Sequence, residues 1–189
     1  MSDPAAPELW LVRHGETEWS RDGRHTSTTD LPLTPVGEAA ATALAPRLAD
    51  VEFDLVLTSP RRRARRTAEL AGRPEAEPDE DLVEWAYGDF EGITTAEVRE
   101  TVPGWTVWTH PSPGGETADE VSARLDRVVE RVREHGRVLV FAHGHSLRVL
   151  TARWLCQPAE EGRFFRLDTA TVSVLGFERE TPVLLKWNS

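Results

Sequence analysis

The hydrophobic positions of this chain fall into short unbroken runs separated by longer amphipathic stretches. Leu9-Trp10-Leu11-Val12 and Val138-Leu139-Val140-Phe141-Ala142 have the length and continuity of strands covered on both faces. Phe53 to Thr58 predicts another buried strand, and Thr171–Phe177 with Val183–Trp187 predict a closing hairpin. Between these runs the period lengthens. Thr34-Pro35 supplies an N-cap and a proline at the first helical position, and Val36, Ala40, Leu44 and Leu48 follow at helical spacing. Pro60–Ala71 predicts a helix stopped by Gly72. Thr94 with Glu97 and Thr117 with Glu120 form capping boxes. The second opens an amphipathic helix through Val121, Leu125, Val128, Val129 and Val132 to about Gly136. Ser146–Cys156 predicts the last helix. Residues 73–93 read as irregular, and Trp105–Gly115, rich in Trp, Pro and Gly, as a loop lying over something.

Strands alternating with helices define the fold class as α/β and predict a three-layer α/β/α sandwich with a largely parallel central sheet. Ligands of such sheets bind beyond the carboxyl ends of the strands. Residues 9–189 are expected to form a single domain, a length that can bury one substantial core. Residues 1–8, polar and rich in Pro and Ala, are expected to be a flexible N-terminus. With 22 Lys and Arg against 32 Asp and Glu the net charge is −10, which repels nucleic acid and anionic membranes, so neither is an expected partner. Cys156 stands alone, which excludes an intrachain disulfide and a cysteine-based metal site. No apolar stretch reads as a signal peptide or membrane span, and a cytoplasmic location is expected. No pattern fixes an oligomeric state.

Four segments carry candidate chemistry. In Arg13-His14-Gly15, after the first strand, the guanidinium offers a fork to phosphate oxygens and the glycine lets the backbone come close. The imidazole between them can attack phosphorus. Ser59-Pro60-Arg61-Arg62-Arg63-Ala64 places arginines at a strand-to-helix junction, where first-turn side chains can point at an anion. Arg65 and Arg66 extend that cluster, most of which reads as a solvated helix face. Glu84 lies in the aromatic stretch Leu82–Gly88, a carboxylate suited to proton transfer. His143-Gly144-His145-Ser146 opens a helix whose free amides and dipole favour a phosphate. His14 and His143 both end apolar strands and precede glycine, which suggests one site built from two ends of the chain. Elsewhere Trp10, Trp154 and Trp187 read as core, and His25, His110 and His135 as surface or loop. His145 reads as a supporting or helix-capping group.

With R-H-G-E-T at 13–17, S-x-x-x-R-A-x-x-T-A at 59–68, E-x-x-Y-G-D-x-E-G at 84–92 and A-H-G-H at 142–145, the chain resembles the histidine phosphatase superfamily. That phosphoglycerate-mutase-like resemblance covers nearly the whole length. It implies His14 as a nucleophile that becomes phosphohistidine, with Arg13, Arg63 and a protonated His143 around the phosphate. It implies Glu84 as the proton donor. Position relative to Ser59 and Ala64 selects Arg63 from the cluster, with Arg62 as second choice. Substrate contacts are implied for Arg13, Ser20, Thr26, Ser27, Arg63, Tyr87, Gly144, His145 and Arg148. No cofactor and no metal is implied: guanidinium groups carry the charge Mg²⁺ would bring, and Arg13 and Arg63 would repel a cation held by His14, His143, His145 and Glu84.

Trp19-Ser20, Thr29–Pro35, Thr58–Arg61, Glu84–Asp89 and Phe141–Arg148 are similar to the fungal sedoheptulose-1,7-bisphosphatase branch of that superfamily. The similarity implies a sugar phosphate or bisphosphate, with Arg148 and the loop 105–115 at its far end. The short span from Glu84 to His143 favours hydrolysis over phosphoglycerate mutase-type transfer. So do Ser20 and Ser27, at positions where the mutases usually carry Asn and Gly. Mutase chemistry and a non-catalytic phospholigand binder stand as alternative readings.

Overall fold

The computed structural model describes residues 6–189. In chain order these form β1 (Glu8–Arg13), α1 (Glu18–Asp22), α2 (Pro35–Thr42), α3 (Ala45–Ala49), β2 (Leu55–Thr58), α4 (Arg62–Leu70) and β3 (Glu77–Pro78). They continue with α5 (Thr95–Thr101), α6 (Ala118–Arg133), β4 (Arg137–Ala142), α7 (Gly144–Trp154), β5 (Val172–Glu178) and β6 (Thr181–Lys186). The strands make one sheet in the order β3-β2-β4-β1-β5-β6. β3, β2, β4 and β1 run parallel, and β5 and β6 add antiparallel as the expected hairpin.

Successive strand residues point to opposite faces, so an unbroken apolar run feeds two cores. Leu9, Leu11, Leu57, Val138 and Val140 pack with Val121, Leu125, Val128 and Val132 of α6 and with Leu147, Leu150 and Trp154 of α7. Val12, Val56, Leu139 and Phe141 pack on the other face with Leu44, Leu48, Ala68 and Ala71. That is the three-layer α/β/α sandwich, with a mixed but mostly parallel sheet. No helix among the described residues is long and apolar enough to cross a membrane.

The boundaries differ from expectation where a local rule overrides the periodicity. The helix expected through Leu48 breaks after Thr42, because Pro46 has no N–H to return to the Thr42 carbonyl. Val36 is 66% exposed, and Gly37 and Ala41 take the buried face instead. Of the expected flexible segment 1–8, residues 1–5 lie outside the described residues, and Glu8 already belongs to β1. Its carboxylate accepts from Trp10 Nε1 (3.0 Å) and Arg137 Nε (2.7 Å), which ties β1 to β4. The stretch read as irregular contains the two-residue strand β3, paired parallel with β2. Helix α7 starts at Gly144 rather than Ser146, with His143 as its extended N-cap. Trp154 is fully buried, whereas Trp10 and Trp187 are only partly so.

Candidate active site

The parallel register of β1 and β4 pairs Arg13 with Ala142, so the next residue of each strand, His14 and His143, emerges at the same sheet edge. His14 N–H continues the ladder to the Ala142 carbonyl at 3.0 Å, and the two imidazole centroids stand 5.2 Å apart. The His14 turn is clamped from the side. A Cβ at Gly15 would meet the Gly37 carbonyl oxygen at 2.5 Å, and one at Gly37 would meet the Glu16 oxygen at 2.2 Å. Both positions therefore admit only glycine, and the start of α2 rests directly on the histidine turn. Gly15 N–H donates to Thr67 Oγ1 of α4 at 3.0 Å.

Hydrogen-bond partners decide which ring nitrogens carry protons. His14 Nδ1 lies 2.7 Å from the Gly15 carbonyl, which only accepts, so Nδ1 holds the proton and Nε2 keeps its lone pair. Burial, then the guanidinium groups of Arg63 and Arg13, push the His14 imidazole well below the ordinary histidine range. His143 is buried, and its Nδ1 faces Arg63 Nε at 3.1 Å. A guanidinium only donates, so His143 Nδ1 accepts and the Nε2 proton goes to Ser59 Oγ at 2.7 Å. Burial and Arg63 push this ring well below its ordinary range too. A second positive charge about 4 Å from Arg63 would cost on the order of 4 kcal/mol at an effective dielectric near 20. Beside Arg63 alone the His143 imidazole is therefore neutral, and the protonated form implied by the resemblance needs the negative charge of a phosphoryl group next to it.

Glu84 occupies the place expected for an anion at the start of α7. Its carboxylate accepts from Trp85 N (2.8 Å), His145 N (3.0 Å) and Ser146 N (2.7 Å). Two of the amides expected to be free for phosphate are thus capped by a side chain, which holds the carboxylate at the cleft wall. Arg13 donates Nη1 to the Leu167 carbonyl at 2.6 Å, while its buried Nε has no hydrogen-bond partner among the described residues. Gly144 lies against the Arg13 guanidinium, where a Cβ would stand at an ordinary contact distance of 3.4 Å from Cζ.

A cleft of about 240 Å³ opens beside these groups, walled by Arg13, His14, Ser20, Thr26, Glu84, Tyr87, Gly144, His145 and Arg148. Gly23, Arg24, His25, Thr95 and Leu167 complete it. Tyr87 is buried, and burial followed by the Glu84 charge raises its phenol well above the usual range. It therefore keeps its proton and donates it to His145 Nδ1 at 2.5 Å. Arg148 stacks on Trp108, 4.6 Å from the ring centroid.

Four expectations are not met on the wall, the first being His143, which is fully buried and does not line the cleft. Ser27 lies behind it, with its hydroxyl on Glu91. Arg63 is fully buried beneath His143 and gives its Nη groups to the carbonyls of Thr26, Ser27 and Thr29. The loop 105–115 packs behind His145 through Trp108, at 5.1 Å between rings, and adds no residue to the cleft. Arg62, the second choice, is exposed and lines a separate cleft with Arg65 and Arg66. His25, taken for a surface or loop histidine, is 8% exposed on the cleft wall. It is packed at 4.7 Å on Tyr87 and 5.2 Å on Trp105. Its polar neighbours in sequence hid the aromatic contacts, which come from residues more than sixty positions away. Thr95, Leu167 and the positioning Gly37 were likewise invisible, because each reaches the site only through tertiary packing.

A neutral imidazole with a free Nε2 lone pair at a parallel-sheet strand end, flanked by guanidinium and carboxylate groups, defines a phosphoryl-handling α/β protein. Residues 9–189 match the sequence model of the histidine phosphatase superfamily (branch 1), and the chain belongs to that family. An acid phosphatase of Mycobacterium tuberculosis is 43% identical over 175 residues, covering 90% of this chain and 86% of that protein. The sedoheptulose 1,7-bisphosphatase of Saccharomyces cerevisiae is 36% identical over 196 residues, covering 82% of this chain and 72% of that protein. The solved structure of an open reading frame product of Mycobacterium tuberculosis superposes with a TM-score of 0.92 at 41% identity, covering 96% of this chain and 97% of that one.

The neutral imidazoles make stability depend on pH. Unfolded histidine titrates near pH ~6.5, while His14 in the fold stays neutral to lower pH. The unfolded chain then binds more protons, so this stabilisation is fully present above about pH 6.5 and falls as pH drops below it. Urea unfolding of His14→Asn is expected to show a shallower loss of stability between about pH 6.5 and 5.5, by up to one proton or ~1.4 kcal/mol per pH unit. A slope equal to wild type would mean that His14 is already protonated in the fold.

Proposed function

We propose that the protein is a metal-independent phosphomonoesterase, its catalytic domain spanning residues 8–189, that passes the phosphoryl group of a small metabolite to His14 and then to water. The observation that carries this reading is the His14 tautomer. The Gly15 carbonyl holds the Nδ1 proton, so the Nε2 lone pair is available at neutral pH. In the first step the Nε2–P bond forms and the bond from phosphorus to the substrate oxygen breaks. Glu84, at the cleft wall beside His14, enters this step as the protonated carboxyl and gives that oxygen its proton, becoming the carboxylate. In the second step water attacks phosphorus, Glu84 takes a proton from it, and the Nε2–P bond breaks. The Gly15 carbonyl stabilises the positive charge that the ring carries while phosphorylated.

Charge on the transferring group is met by Arg13, whose unpartnered Nε suits a phosphate oxygen, and by Arg63 from behind the two imidazoles. The remaining wall offers the hydroxyls of Ser20, Thr26 and Thr95, the rings of His25 and His145, and the cations Arg24 and Arg148. That lining suits a polyhydroxylated phosphate such as a sugar phosphate or bisphosphate, in keeping with the yeast relative's activity. The lone cysteine and acidic charge support a cytoplasmic setting without nucleic-acid or membrane partners.

Phosphate release in EDTA across sedoheptulose-1,7-bisphosphate, fructose-1,6-bisphosphate, 3-phosphoglycerate and p-nitrophenyl phosphate is expected to single out a sugar phosphate, with no turnover by His14→Ala. Isomerisation of 3-phosphoglycerate without phosphate release would move the assignment to a mutase, and activity retained by His14→Ala would remove the mechanism. His25→Phe keeps the ring packed on Tyr87 and Trp105 but deletes its nitrogens. It is expected to lower kcat/KM for the sugar phosphate by roughly tenfold, the value of about one hydrogen bond, and to leave p-nitrophenyl phosphate almost untouched. Equal losses on both substrates would make His25 a packing residue only.

A further inference from the structure

Glu91 follows the short 3₁₀ turn Gly88–Phe90 and takes no part in the chemistry above. Its half-buried carboxylate accepts the Ser27 amide at 2.9 and 3.0 Å on its two oxygens, the Thr29 amide at 3.0 Å and the Ser27 hydroxyl at 2.5 Å. Burial works against the charge, but the bonds from Ser27 and Thr29 outweigh it and hold the group below the usual carboxylate range. The same strip of chain turns its carbonyls the other way. Thr26 O and Ser27 O take Arg63 Nη2 at 3.2 Å each, and Thr29 O takes Nη1 at 3.0 Å. Asp30 stands 4.0 Å from Nη1. Of the two N–H groups that remain to Arg63, Nε–H goes to His143 Nδ1.

We propose that Glu91 is a positioning residue for the phosphate site: it pins the strip Thr26–Thr29, whose carbonyls orient Arg63, whose Nε–H in turn fixes the His143 ring. The inference rests on the proposed function, in which Arg63 and His143 serve the transferring phosphoryl group. A carboxylate suits this place because amide and hydroxyl donors converge within three residues, and an acceptor-only group meets all of them. Glu91 is not on the cleft wall, and of the strip only Thr26 is, so the effect of Glu91 on His143 is transmitted through Arg63. The fold is expected to survive loss of the carboxylate, because His25 N–H to Ile93 O (3.0 Å) and Gly92 N–H to His25 O (2.8 Å) join the same two segments.

The test is a double-mutant cycle on phosphate release from p-nitrophenyl phosphate, with Glu91→Ala, Glu91→Gln, Arg63→Ala and the double variant Glu91→Ala/Arg63→Ala. Glu91→Ala is expected to lower kcat/KM roughly tenfold, within the range for coupled neighbours, and Glu91→Gln, which keeps one acceptor oxygen, to recover activity to within about threefold. In the Arg63→Ala background the same change is expected to cost under about twofold, since the route it acts through is gone. An equal loss in both backgrounds, or none in Glu91→Ala, would overturn the inference. An Arg63→Ala enzyme as active as wild type would overturn both the inference and the proposed role of Arg63. A readout independent of turnover is the ¹⁵N spectrum of the histidine rings. Wild-type His143 is expected as the single Nε2–H tautomer, and folded Glu91→Ala as a mixture. An unchanged His143 signal in that variant would also overturn the inference.

Discussion

Everything at the site depends on the parallel pairing of β1 with β4. These strands lie more than a hundred residues apart in sequence, yet their register sets Arg13 against Ala142. One residue further on, the two chains turn out of the sheet together, and each turn begins with a histidine. The pairing is secured by the apolar runs themselves. Leu9 and Leu11 with Val138 and Val140 serve one core, and Val12 with Leu139 and Phe141 serve the other. A slip of one residue would exchange the two faces, so burial fixes the register and the register fixes the site. The glycine contact between Gly15 and Gly37 then limits how far the His14 turn can move.

A site dense in cations keeps its imidazoles neutral. Arg13, Arg63 and Arg148 lower His14, His143 and His145 in addition to the effect of burial. The arrangement stores positive potential on side chains that cannot lose it, and it leaves the histidines as bases and hydrogen-bond partners. A dianionic phosphoryl group reverses the balance on arrival, because it neutralises the field that disfavours imidazolium. Proton positions in this protein are therefore set by acceptors and donors of fixed character: a carbonyl at His14, a guanidinium at His143, a phenol at His145.

Much of this was legible in the order of residues. Strand ends followed by His-Gly, capping boxes at Thr94 and Thr117, and the period of α6 are local signals, and the structure realises each. Arg63 was separable from Arg62 only by resemblance, since both lie on one helical turn. What stayed hidden depends on distant partners. His25 becomes a wall residue because Tyr87 and Trp105 pack on it, Glu84 caps a helix sixty residues away, and Pro46 breaks a period that otherwise looks continuous. The neutral state of His143 could not be read either, because it follows from the Arg63 contact and not from the residue type.

The central claim is that the Gly15 carbonyl leaves His14 Nε2 as the attacking atom. Acid-labile, alkali-stable phosphoprotein formed within one turnover can be trapped by rapid quench, and the phosphorylated ring nitrogen identified by ³¹P and ¹⁵N NMR. The account predicts a single phosphohistidine at His14, bonded through Nε2. Phosphorylation at Nδ1, or turnover with no phosphohistidine formed, would contradict it.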